Sequence, residues 1–186
     1  MKKIVTFICV LVLLVSSVVG CSLFSKQGAD YATSAVNLKL ESTLIKTQYQ
    51  KIYTVVQSNK AKFTDTEWQQ LNEVNFAFTE ASTRIEGVLK NPENVVTPVE
   101  LKQMYDLAYI GYSEAKGILV NHKSEFTEYQ WLELQNFDKQ AVEYDKQVRS
   151  ILDNPSTDDI NKTLGIIIVL GSMAYKYLLP VLMSLI

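Results

Sequence analysis

The chain has 186 residues, 47% of them apolar, with 18 basic and 20 acidic side chains and a net charge of −2. That balance offers no broad cationic surface, so a nucleic-acid partner is not expected. One histidine and two cysteines are too few for a common soft-ligand metal site or a disulfide framework.

Residues 1–20 read as an export signal. Lys2 and Lys3 make a basic start, Ile4 to Val19 is an uncharged apolar run, and Val18-Val19-Gly20-Cys21 places small residues at a cleavage point. The cut is expected between Gly20 and Cys21. It removes Cys9 with the signal and, by taking Lys2 and Lys3, moves the net charge from −2 to −4. The 166 residues that remain suffice for one domain with a real core. Val18-Val19-Gly20-Cys21 resembles a bacterial lipobox. The resemblance implies that a peptidase cuts before Cys21 and that Cys21 is the lipid attachment site, carrying a diacylglyceryl thioether and palmitate. The mature chain is then an exported lipoprotein of the cell envelope. Ser22 follows the cysteine, not the Asp associated with inner-membrane retention, which points to the outer membrane and the periplasm. Residues 21–30 form a tether.

Residues 31–155 carry an internal repeat with an offset of 63 residues. Residues 62–92 align without gaps on residues 125–155 with eight of 31 positions identical, where average composition gives about two. The identities include Phe63/Phe126, Thr64/Thr127, Trp68/Trp131, Leu71/Leu134, Glu80/Glu143 and Pro92/Pro155. The repeats span 31–92 and 97–155, and each reads as a helical hairpin.

In the first helix of each hairpin, Leu38, Ser42, Ile45, Tyr49, Ile52 and Val56 correspond to Leu101, Tyr105, Ala108, Tyr112, Ala115 and Leu119. Thr97-Pro98-Val99-Glu100 starts the second copy with a cap, a proline at the first helical position and a box-closing glutamate. Short polar turns at Ser58–Lys62 and Asn121–Glu125 make the paired helices antiparallel neighbours. The second helix of each hairpin starts at Phe-Thr, where Thr64 with Glu67 and Thr127 with Gln130 make capping boxes and Phe63 and Phe126 can staple the first turn. Its stripe runs Trp68, Leu71, Val74, Phe78, Ala81, Ile85, Val88, and in the second copy Trp131, Leu134, Phe137, Ala141, Tyr144, Val148, Ile151. Asn91-Pro92 and Asn154-Pro155 stop both helices. The predicted fold is all-α: an up-down four-helix bundle of two tandem hairpins, able to fold over 31–155 alone, plus a C-terminal apolar helix.

That last helix lies in residues 156–186 and starts at Ser156-Thr157-Asp158-Asp159. From Leu164 to Ile186 the only charge is Lys176, and the run is long enough to cross a bilayer. Membrane insertion is the expectation, against a mid-bilayer lysine costing about 2.5–3.5 kcal/mol and an interrupting Pro180. A buried fifth helix, or one lying in the interface, is the alternative.

Candidate chemistry is sparse. His122 sits in a hairpin turn and reads as an exposed turn residue, with no second histidine to complete a site. Glu80 and Glu143 occupy one repeat position and flank the stripe, which reads as solvated surface. Trp68 and Trp131 read as core near one end, and the tyrosines as core residues with polar tips. There is no Glu-x-x-His, Gly-rich phosphate loop, nucleophile elbow or zinc spacing. The expectation is therefore a non-enzymatic protein with no catalytic residues, cofactor, metal or small-molecule substrate.

Taken together, a lipid anchor at Cys21, a helical periplasmic middle and an apolar Leu164–Ile186 resemble the layout of phage unimolecular spanins. That resemblance implies a protein that links the outer and inner membranes and disrupts them in host lysis. The competing reading is an envelope interaction, exclusion or immunity lipoprotein whose C-terminal helix docks it to one membrane or drives self-association. Membrane lipid is the expected partner in both, with a second copy or another envelope protein.

Overall fold

The computed structural model describes residues 35–90 and 96–185. Gly20, Cys21, the signal, the tether and the Asn91-Pro92 stop lie outside the described residues. Among the described residues five α-helices follow one another: α1 Ala35–Ser58, α2 Asp65–Lys90, α3 Pro98–Asn121, α4 Glu128–Ile151 and α5 Thr157–Leu185. Single 3-10 turns, Lys60–Lys62 and Lys123–Glu125, close the two hairpins. Among the described residues there is no strand.

Helix starts follow the predicted capping chemistry. The hydroxyl of Thr97 accepts from the Glu100 amide while the Glu100 carboxylate accepts from the Thr97 amide at 2.9 Å, and Thr127 with Gln130 repeats the exchange. Thr64 and Glu67 make the same reciprocal pair, and Ser156 with Asp159 makes it at the start of α5. Each satisfies first-turn amides that have no helical acceptor. Phe126 meets the Trp131 ring, one turn inside the cap, at a centroid separation of 6.0 Å, which is the staple geometry.

The predicted stripes are buried throughout α1 and α3 and in the middle of α2 and α4, while Trp68, Val88, Trp131, Tyr144 and Ile151 are half-buried. Leu38, Ser42, Ile45, Tyr49, Ile52 and Val56 of α1, and Leu101, Tyr105, Ala108, Tyr112, Ala115 and Leu119 of α3, are all buried. In α2 the buried positions are Leu71, Val74, Ala77, Phe78, Ala81, Ser82 and Ile85; in α4 they are only Leu134, Phe137, Ala141 and Val148.

The C-terminal apolar helix α5 packs on the hairpins. Residues 157–185 belong to the same compact unit as both hairpins. α5 packs most closely on α3 and α1, and also on α4 and α2. Nine consecutive residues, Thr163–Gly171, are buried, so neighbours cover that stretch on every side. The stripes of the hairpins therefore close on α5 as well as on each other. The physical reason is composition: a helix apolar all round must be enclosed by protein or by lipid, and protein encloses the Thr163–Gly171 stretch. The four hairpin helices and α5 thus pack together as one helical bundle.

Phe78 is the pivot of this arrangement. It stacks on Tyr49 at 4.7 Å and lies where a Cβ on Gly111 of α3 or Gly171 of α5 would approach its ring to 3.0 and 3.1 Å. Two glycines thus let α3 and α5 close on one aromatic ring. The Tyr49 hydroxyl, fully buried, donates to the Gly171 carbonyl at 2.8 Å, which ties α1 to the middle of α5.

Candidate functional site

Two groups of side chains stand out: an aromatic and cationic cluster at the hairpin tips, and a polar seam along α4. The tips repeat the same chemistry. Lys60 lies over the Trp68 ring at 4.9 Å and Lys123 over the Trp131 ring at 5.2 Å. Both tryptophans are half-buried, which corrects the expectation that they are core residues. Each stands at the fourth position of its helix, within reach of the lysine in the preceding turn. Such a pair is worth about 0.5–1 kcal/mol when exposed.

His122 sits in the second turn as expected, but it is not simply exposed. Its Nε2 donates to Glu67 Oε1 at 2.7 Å, with side chains 17% and 14% exposed. The contact links the end of α3 to the first turn of α2, so the one histidine is a cross-brace between hairpins. Burial pushes the Glu67 carboxyl up, but hydrogen bonds from the Thr64 amide and hydroxyl and from His122 outweigh it and hold Glu67 below the ordinary carboxylate range. Glu80 and Glu143 lie on the solvent side as predicted. Glu80 pairs with Arg84 at 2.8 Å and Glu143 with Lys146 at 2.7 Å.

The seam was not foreseen. The Tyr105 hydroxyl donates to Asp145 at 3.2 Å, Tyr112 donates to Asp138 at 3.2 Å, and Tyr177 of α5 reaches Glu133 at 3.4 Å. All three acceptors are on α4. Cations flank them: Lys116 meets Asp138 at 2.6 Å, Arg149 meets Asp145 at 2.8 Å, and Lys176 meets Glu133 at 3.4 Å. Burial, and then the neighbouring carboxylate, pushes Tyr105 and Tyr112 well above the usual phenol range, so both remain neutral donors. The signal lay in the hairpin register: partners in an antiparallel pair have a constant sum of residue numbers, and Tyr105 with Asp145 matches Tyr112 with Asp138.

A shallow groove of about 300 Å³ between α1 and α2 is lined by Tyr53, Asn72, Asn75, Phe76, Thr79 and Glu80. Its one charged residue, Glu80, is already engaged by Arg84. No group of three or more His, Cys, Asp or Glu side chains able to hold a metal occurs among the described residues. α5 is the element with a functional signature of its own: 29 residues, long and apolar enough to cross a membrane, with 67% of its most apolar stretch buried inside the protein. Comparison of the chain with protein-family models, with curated proteins and with solved structures gave no match.

Proposed function

We infer that the chain is a non-enzymatic lipoprotein of the cell envelope, tethered through Cys21, whose helical bundle works as an interaction module. The observation that supports this most is the position of α5. Its most apolar stretch is 67% buried and its carbonyl at Gly171 is bonded to Tyr49, so the helix that resembles an anchor is the core of the module. The polar seam and tip pairs are built from residues that hold helices together, and His122 serves Glu67.

The two-membrane, spanin-like reading has one observation in its favour: α5 is long and apolar enough to span a bilayer. It requires α5 to leave the bundle, because the same faces cannot contact lipid and the four other helices at once. The test is fractionation and palmitate labelling of the wild type and Cys21→Ser. Loss of label with retention of the precursor supports the lipid anchor, and unchanged label in Cys21→Ser overturns it. Alkali-resistant retention of the C-terminus in the inner membrane would favour the two-membrane reading over the interaction module.

A further inference from the structure

The two hairpins share a sequence repeat, but their paired helices meet differently. α2 lies close along both α1 and α3, whereas α3 and α4 do not approach closely. The difference maps onto equivalent positions. Where the second copy has Tyr105 and Asp145, the first has Ser42 and Ser82, both buried; small side chains let α1 and α2 close together. Where the second copy has Asp138, the first has Asn75. The shared tyrosine is also used differently: Tyr49 turns its hydroxyl to the α5 backbone, while Tyr112 turns its own to α4. α4 consequently meets α3 through tyrosine–carboxylate bonds and the edge contact of Phe137 with Tyr112.

This seam is cheap to open. Asp138, Asp145 and Glu133 are between 22% and 37% exposed, so water replaces their phenol donors without leaving a charge buried and unpaired. α4 also has the fewest buried residues of α2 to α5: four, against seven in α2, nine in α3 and fifteen in α5. Helices joined by few apolar contacts and solvent-accessible polar bonds are the ones that open first.

We propose that α4 is a releasable strap, and that its detachment presents the apolar flank of α5 to the hydrocarbon of a lipid bilayer. The destination follows from α5 itself, which is long and apolar enough to cross a membrane, so lipid satisfies the face that α4 leaves. The proposal rests on the membrane-tethered reading above for its access to lipid. The strap itself does not depend on Cys21.

The test uses the full chain. In hydrogen–deuterium exchange under mild denaturant, peptides of 128–151 should lose protection before those of α1, α2 and α3. Tyr105→Phe with Tyr112→Phe should speed α4 exchange by about tenfold or more, since two charge-assisted bonds are removed, and leave α1 and α2 unchanged. Tyr49→Phe should loosen α1 and α5 without singling out α4. In vesicles of phosphatidylethanolamine and phosphatidylglycerol carrying a photoreactive acyl chain, adducts on residues 164–179 should rise several-fold in the double Tyr→Phe variant. Loss of α4 protection only together with α1–α3 would overturn the strap. Early opening of α4 with no gain in adducts would overturn the lipid destination. Unchanged palmitate label in Cys21→Ser would remove the anchor while leaving the exchange result intact.

Discussion

Phe78 owes its burial to the residues that leave room for it. A methyl group added at Gly171 would stand 3.1 Å from its ring and 3.2 Å from Ile45, closer than ordinary packing allows. Gly171→Ala should therefore lower stability by about 1–3 kcal/mol through overpacking, despite the better helix propensity of alanine. Chemical denaturation measures it, and an unchanged or raised midpoint would refute the close approach. Trp131 makes the opposite case. It is half-buried, so Trp131→Ala should cost about 1–3 kcal/mol, below the roughly 3–5 kcal/mol of a core tryptophan. A loss above that range in the same measurement would return the ring to the core. The stripe positions of α1 and α3 were legible one by one, because a period of three and four residues selects one face. The glycine contacts were not, since nothing local says which ring a glycine will face.

At the scale of elements, the helix ends were the most legible feature, because a cap acts within four residues and needs no partner from elsewhere. Thr127→Ala should cost about 0.5–2 kcal/mol through α4, checked by thermal melting. The Glu67–His122 brace was hidden for the converse reason: its partners are 55 residues apart, and only the packing of one hairpin on the other brings them together. It has a pH signature. Glu67, and Glu86 bonded to Thr43 and Lys46, are both held below the ordinary carboxylate value of 4.5 despite burial. A lowered folded-state value means their stabilisation is fully present above about pH 4.5 and is lost as pH falls through the folded-state values. Glu67→Gln should flatten that acid limb. An acid midpoint and slope identical to those of the wild type would remove Glu67 from the account.

At the scale of the whole molecule, α5 packs against all four hairpin helices. Removing residues 157–185 would expose the apolar faces of α1 and α3 and leave Tyr49 without the Gly171 carbonyl. A chain ending at residue 155 should keep helical circular dichroism but lose a cooperative melt and aggregate, as exposed contiguous apolar surface does. A sharp melt near that of the full chain would restore the four-helix bundle as an independent unit. The all-α class, the helical repeat, the stripes and the caps follow from sequence, since periodicity and capping are local physical rules. Whether an apolar helix is enclosed by lipid or by protein is not local: both environments reward the same composition. Only the tertiary packing decided which side chains meet, by setting four amphipathic faces around α5 and two glycines against Phe78.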